Sequence, residues 1–145
     1  MKTTINVNGK DVEIELTDAQ VQQIKKASEK ITDRIKNFQD VLDYLGLSDK
    51  AWKTQILGLA DDELAYKQVK LIALALNEGA EMDAFNEDQY KYYPYFEVQE
   101  NGFSCLNYTS WHSNTHVSSR LCFKSAELAI YAGKTFTEIY TKFLS

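Results

Sequence analysis

The sequence is poor in the residues that mark exported or membrane-spanning proteins. It has two cysteines, Cys105 and Cys122, which are too few for a disulfide framework, so we expect both thiols to be reduced and buried. The longest apolar run, Leu71 to Leu76, is far too short to cross a bilayer. The first residues lack the apolar stretch of a secretory signal. Together these absences predict a cytoplasmic protein with no membrane partner.

Basic side chains are scarce in the middle of the chain. The formal net charge is −5, and residues 61–100 contain three basic and ten acidic side chains. This imbalance argues against a protein wrapped in nucleic acid, because phosphate binding needs a basic footprint. The acidic residues between Glu78 and Asp88 lack the central glycine and distal glutamate of a calcium loop. We expect a solvated loop there.

No motif for a nucleotide, a metal or a nucleophile stands in the sequence. Glycine-rich phosphate loops and the Gly-x-Ser-x-Gly elbow are absent, and Ala132-Gly133-Lys134-Thr135 falls inside a predicted helix. The four Cys and His residues could in principle form a tetrahedral zinc site, but no Cys-x-x-Cys pair supports one. We therefore predict no cofactor, no metal and no catalytic residue; the four residues are Cys105, His112, His116 and Cys122.

The N-terminus has the pattern of a β-hairpin followed by a helix. Asn8-Gly9 is typical of a two-residue type I′ turn, which pairs Val7 with Lys10, Ile5 with Val12 and Thr3 with Ile14. Thr17 and Gln20 form a predicted capping box. The helix has one narrow apolar stripe. We predict that residues 1–30 are a separate hairpin-helix module, and one compact domain overall stays the alternative.

Residues 31–145 predict an α+β core domain. Helices are expected over about Asn37–Leu45 and from Asp61 to Gly79, with an ambiguous segment between them in which Ser48 could cap a short helix. A second hairpin with its turn at Asn101-Gly102, or a three-stranded sheet that includes Val117–Phe123, is predicted to pack on a long C-terminal helix from Ser125 to about Leu144. Gly133 inside that helix indicates close packing against a neighbour.

Six segments of this second part carry a family resemblance: Ile31–Lys36 with Phe38, Ala75–Gly79, Lys91–Phe96, Gly102-Phe103, Ser119–Ser125 and Ala132-Gly133-Lys134. They resemble a family of short uncharacterised proteins carried by phages and mobile elements of Bacteroides-like gut bacteria. The resemblance implies a phage or mobile-element setting, and it assigns no catalytic residue because the family has no established activity.

Aromatic residues are concentrated around the second hairpin and are too many for one small sheet to bury. The predicted turn at Asn101-Gly102 leaves Tyr95 and Tyr108 outward beside Trp111. Clustered exposed aromatics next to polar side chains are typical of protein-recognition surfaces. The predicted binding residues are Tyr95, Tyr108, Trp111, His112, Asn114, His116, Arg120 and Lys124.

Three functions fit this surface. The preferred interpretation is a non-enzymatic protein-interaction module whose partner is a protein. The first alternative is a binder of single-stranded nucleic acid that stacks bases on the same aromatics, with Arg120, Lys124 and Lys134 at the phosphates. The second alternative is a small enzyme that depends on His112 or His116.

Overall fold

The computed structural model describes residues 1–145 and shows an α+β protein with seven helices and two antiparallel two-stranded sheets. The chain divides into two compact units, Met1–Lys30 and Ile31–Ser145. The predicted fold class is confirmed. None of the helices combines the length and the apolar character that a bilayer-crossing segment requires.

The first unit is a hairpin followed by one helix, as predicted. Strands β1 (Lys2–Val7) and β2 (Lys10–Glu15) meet at a turn in which Asn8 and Gly9 both have positive φ, at 52° and 80°. The three predicted cross-strand pairs are present. Helix α1 (Asp18–Ser28) begins at the predicted Thr17 capping box. No residue of this unit is buried, and the apolar face of the hairpin is open to solvent.

Four helices open the second unit. The short helix α2 (Ile31–Arg34) was not apparent from the sequence, whereas α3 (Phe38–Tyr44), α4 (Asp49–Ile56) and α5 (Asp61–Leu76) follow their expected caps and stops. Asn37 and Ser48 each accept a bond from a backbone N–H in the first turn, which compensates for the free amides there. The predicted third core helix, α5, buries six of its residues.

The second hairpin consists of β3 (Lys91–Gln99) and β4 (Gly102–Trp111), and its predicted turn is wrong by one residue. The turn residues are Glu100 and Asn101, not Asn101 and Gly102. The observed register sets Phe96 opposite Cys105 and Val98 opposite Phe103. Apolar side chains therefore face each other directly, which stabilises the pairing more than the offset register of the predicted turn.

A β-bulge interrupts this hairpin between Tyr95 and Phe96. Phe96 pairs with Cys105 and Tyr95 pairs with Asn107, so Leu106 is an extra residue on β4. Beyond the bulge the side chains of β4 exchange faces, because one inserted residue shifts the two-residue alternation. The bulge decides where each aromatic side chain of β4 lies.

Of the two predicted forms of the second sheet, the hairpin is confirmed and the three-stranded alternative is wrong. Val117–Phe123 contains a 3₁₀ turn (Ser119–Leu121), and only one bridge, between Tyr92 and Phe123, joins this segment to β3. Ser118 caps the turn by accepting the N–H of Arg120. The serine side chain offers the backbone a local partner, which competes with a strand ladder.

The single long C-terminal helix is likewise a correction: it is two helices, α6 (Ala126–Thr135) and α7 (Thr137–Leu144). Phe136, between them, has φ −112° and ψ 31°. The Thr137 hydroxyl donates to the carbonyls of Gly133 and Lys134 at 2.8 and 3.0 Å. Such bonds from a threonine hydroxyl to the preceding turn bend a helix.

The core of the second unit lies between α5, the C-terminal helices and the second hairpin. The largest fully buried side chain is Tyr140 of α7, and Ile35, Val69, Ile72 and Phe123 are also fully buried. Asn77, just after α5, donates to the Cys122 carbonyl and accepts the Lys124 N–H, both at 2.9 Å. Its amide fixes the end of α5 to the segment that follows the 3₁₀ turn.

Candidate functional site

One face of the second hairpin carries a row of aromatic side chains, which we call the aromatic face: Tyr90, Tyr92, Tyr108 and His112. The rings of Tyr92 and Tyr108 meet edge to face with centroids 5.5 Å apart, and those of Tyr90 and His112 are 4.9 Å apart. Tyr90 is 52% exposed and Tyr108 is 41% exposed. Each ring is thus half-covered by a neighbouring ring and half-open to solvent.

The register explains why these four side chains meet. Tyr108 pairs with Pro94, and Tyr92 pairs with Ser110. Paired residues share a face and side chains alternate along a strand, so Tyr92 and Tyr108 lie on the same face. Continuing the ladder by one pair sets Tyr90 opposite His112. At the other end of the same face, Pro94 and Cys105 are buried, and both lie against Gly133 of α6.

Tyr95 and Tyr108 do not lie together, contrary to the predicted outward set. Tyr95 pairs with Asn107 and is adjacent in the chain to Pro94, the partner of Tyr108. The two tyrosines therefore occupy opposite faces. Tyr95 is 56% exposed and makes no ring contact. The bulge at Leu106 is the cause, since without it Tyr108 would share the face of Tyr95.

Trp111 lies neither on the aromatic face nor beside the exposed ring of Tyr95. It is half-buried, it pairs with Lys91, and its indole N–H donates to Cys122 Sγ at 3.3 Å. The Lys91 ammonium lies 4.8 Å from the centre of its ring. Trp111 therefore contributes to packing and lines a groove, described below, rather than standing beside Tyr108.

The loop after β4 holds the other predicted contact residues in the open. His112, Asn114 and His116 are exposed, and neither imidazole has a hydrogen-bond partner. Asn114 donates to Ser113 Oγ at 3.3 Å, and Thr115 Oγ1 accepts the Val117 N–H at 2.8 Å. His112 is fixed by the Tyr90 ring, whereas His116 has no comparable contact.

A groove of about 900 Å³ lies beside this loop. One side of α5, the segment from Trp111 to Cys122 and the loop of residues 80–85 form its three walls. Its apolar lining includes Leu71, Leu74, Met82 and Val117. The volume is that of a ligand-sized site. Of the predicted binding residues, only Trp111 and Arg120 line this groove.

The two predicted cations have different surroundings. Arg120 lines the groove and has no carboxylate partner, whereas Lys124 pairs with Glu78, with Nζ and Oε1 3.5 Å apart. Lys124 and Glu78 are both about half-exposed. Such a surface pair contributes little stability, but it neutralises the lysine charge. Of the two, only Arg120 therefore remains an unpaired cation.

Lys91 was not singled out from the sequence, yet its side chain is fully buried. Its ammonium donates to the carbonyls of Asn86 and Gln89 at 2.7 and 2.8 Å and lies over the Trp111 ring. No carboxylate lies within ion-pair distance. The lysine therefore fixes the acidic loop to the hairpin. Lys91 is on the same face as Tyr93, which is the only sequence signal for its burial.

The cysteines and histidines do not gather into a metal site. No three Cys, His, Asp or Glu side chains are placed to hold an ion. Both thiols are buried and free, and burial raises the pKa of Cys105 and raises that of Cys122 to about 11. A thiol with such a pKa is protonated at neutral pH and is a poor nucleophile.

No protein family, curated protein or solved structure matches the chain.

Proposed function

We propose that the protein is a non-enzymatic protein-interaction module of a phage or mobile element, acting in the cytoplasm, and that the aromatic face binds its protein partner. The proposal rests on two pairs of partly exposed, contacting rings, Tyr92 with Tyr108 and Tyr90 with His112. Tyrosines held by their neighbours offer a large apolar area at low entropic cost.

A protein partner suits this surface better than nucleic acid. Base stacking needs free ring faces with cations beside them. On the aromatic face the rings cover one another, and no ring there has a cation over it. The acidic residues from Glu78 to Asp88 precede the face directly in the chain. Among the expected phosphate contacts, Lys124 is paired with Glu78.

The enzyme alternative has less support. A histidine that acts as a general base is held by a hydrogen bond to an orienting group. His112 lies against the Tyr90 ring and has no hydrogen-bond partner, and His116 is exposed without one. In the loop, the Ser113 hydroxyl accepts a bond from the Asn114 side-chain amide, and the Thr115 hydroxyl donates to the Val117 carbonyl.

The proposal is tested with single variants in a pull-down from the native host, half of each sample being treated with nuclease. Tyr90→Ala and Tyr108→Ala are expected to lose a partner that resists nuclease. Tyr95→Ala is the matched control, because Tyr95 is equally exposed on the opposite face. Capture that disappears with nuclease would favour the nucleic-acid alternative, and equal loss in all three variants would contradict the aromatic face as the site.

Stability measurements separate binding from folding in the same variants. Tyr108→Ala is expected to lower the free energy of unfolding by much less than the about 3–5 kcal/mol of a core Phe→Ala change. Phe96→Ala provides the comparison, since the Phe96 ring packs 5.0 Å from that of buried Tyr140. If Tyr108→Ala melts as early as Phe96→Ala, loss of capture reflects unfolding instead of a missing contact.

A further inference from the structure

Phe85 is the most exposed large apolar side chain of the protein, with 95% of its surface accessible. It lies at the rim of the groove whose lining includes Leu71, Leu74 and Met82. Because the ring is almost fully open, it does not fill the groove beside it. The same surface thus presents an exposed apolar ring, that of Phe85, and an apolar groove that the ring does not fill.

The loop that carries Phe85 is held in place by its own hydrogen bonds. The Phe85 N–H donates to Asp83 Oδ1 at 2.9 Å, and the Asp83 N–H donates to Gln89 Oε1 at 2.7 Å. The buried Lys91 ammonium binds the carbonyls of Asn86 and Gln89 from below. A ring presented by a fixed loop loses little conformational freedom on binding, which favours association.

The groove's walls carry opposite charges. Glu81 and Asp83 stand on the loop wall, whereas Lys70 on α5 and Arg120 in the 3₁₀ turn stand on the other two walls. Neither cation has a carboxylate within ion-pair distance. Two copies related by a two-fold axis can place the acidic wall of each against the basic walls of the other. Such self-complementarity is what a two-fold interface requires.

We infer that this groove receives a second copy of the chain. Two copies associate about a two-fold axis, the Phe85 ring of each enters the groove of the other, and Glu81 of each meets Arg120 of the other. The groove is larger than one phenyl ring, so the neighbouring loop residues enter with it. This dimer is a property separate from the proposed function, because it uses neither the aromatic face nor its partner.

The test is sedimentation of the full chain over a wide range of protein concentration, at low salt. The wild type is expected to shift from monomer to dimer as concentration rises. Phe85→Ala is expected to weaken association at least thirtyfold, which corresponds to about 2 kcal/mol for a hot-spot residue. Tyr95→Ala is the control, since it removes an exposed ring elsewhere on this unit. Circular dichroism checks that each variant is folded.

Charge reversal tests the pairing of the walls. Arg120→Glu and Glu81→Lys should each weaken the dimer, and the double variant should recover most of the lost affinity because the two reversed charges meet again. A wild type that stays monomeric at every concentration overturns the inference. So does a dimer that Phe85→Ala leaves unchanged, since another surface then forms it. If the dimer affinity of the double variant falls by the combined losses of the two single variants, this arrangement is also contradicted.

Discussion

Gly133 of α6 lies directly against Cys105 of β4. A β-carbon added at Gly133 would be 2.5 Å from Cys105 Sγ and 2.9 Å from the β-carbon of Pro94. Both distances are well inside van der Waals contact. Glycine costs about 1 kcal/mol relative to alanine inside a helix. Here it is the residue that lets the helix approach the hairpin this closely.

Gly133→Ala is therefore expected to destabilise the protein, although alanine favours the helix. Overpacking of this kind costs about 1–3 kcal/mol and outweighs the gain in propensity. Urea denaturation of Gly133→Ala, Cys105→Ala and the double variant measures the interaction free energy between the two positions. Because Cys105→Ala removes the closest atom, the double variant should lose less than the sum of the two single losses. Strict additivity would show that the clash is relieved elsewhere.

Removal of the hydroxyl group should have opposite effects on stability at two tyrosines of the C-terminal helices. The hydroxyl of Tyr140 is buried without a hydrogen-bond partner, whereas that of Tyr131 donates to the Ile35 carbonyl at 2.6 Å. Tyr140→Phe should leave stability unchanged or raise it, because an unpaired buried hydroxyl costs about 1–3 kcal/mol. Tyr131→Phe should lower it by about 0.5–1.5 kcal/mol. Chemical denaturation of the two variants side by side is sufficient, and equal losses would contradict the assignment.

Loss of the Lys91 ammonium should loosen one loop more than it destabilises the protein. Lys91→Met removes the donors that hold the Asn86 and Gln89 carbonyls. It also removes a buried charge that lacks a carboxylate partner, and this partly offsets the loss. Amide exchange of residues 83–89 should accelerate, with stability lower by about 1–3 kcal/mol. Lys134→Met, at an exposed lysine of α6, is the control and should change neither quantity.

Stability should fall in alkaline solution because buried acids resist ionisation. Burial raises the pKa of Cys122 to about 11 from its ordinary 9.0, against smaller opposing effects of the Trp111 N–H and Lys91. Burial also raises the pKa of Tyr93 to about 12. As pH rises, these groups therefore lose their protons at a lower pH in the unfolded chain than in the folded protein. The Cys122 contribution is complete below pH 9.0 and is lost as pH rises to about 11.

This loss is of the order of 3 kcal/mol for two pH units. Cys122→Ala should therefore show a shallower decline in unfolding free energy than the wild type between those pH values. The difference between the two curves reports the Cys122 thiol together with its smaller effect on the pKa of Tyr93. Parallel curves would mean that the native thiol ionises as easily as the unfolded one.

Removal of residues 1–30 should leave the second unit folded. No residue of Met1–Lys30 is buried, and the buried core residues all belong to Ile31–Ser145. The truncated chain is expected to retain its circular dichroism, its dispersed amide spectrum and one cooperative unfolding transition. A broad, uncooperative transition would contradict the prediction that the hairpin-helix module is separate.

The sequence predicted most successfully where one local signal was unambiguous. Asn8-Gly9 determines its turn, so the register of the first hairpin followed residue by residue. Asn101-Gly102 has similar chemistry, but side-chain pairing across the strands shifted that turn by one residue. The bulge at Leu106 has no sequence signal, because alternation of apolar residues does not reveal an inserted position. It was enough to separate Tyr95 from Tyr108.

The candidate site was predictable only in part for the same reason. The aromatic composition located the hairpin, and His112 and Tyr108 were included, but Tyr90 and Tyr92 were not placed with them. A strand extended back to Lys91 would have set Tyr90 opposite His112. Phe85 gave no signal and Lys91 only its shared face with Tyr93, since burial of a lysine and exposure of a phenylalanine both oppose their usual preference.

The bond from Tyr131 to the Ile35 carbonyl joins residues 96 positions apart. During synthesis from the N-terminus, the helices before α5 emerge long before the chain that covers them. The second unit can close its core only after α7 has left the ribosome, because α7 supplies Tyr140, the largest fully buried side chain. The first unit needs nothing beyond residue 30. A stalled chain that ends before α7 therefore exposes the apolar side of α5, and exposed apolar surface of this kind makes an incomplete chain prone to aggregation.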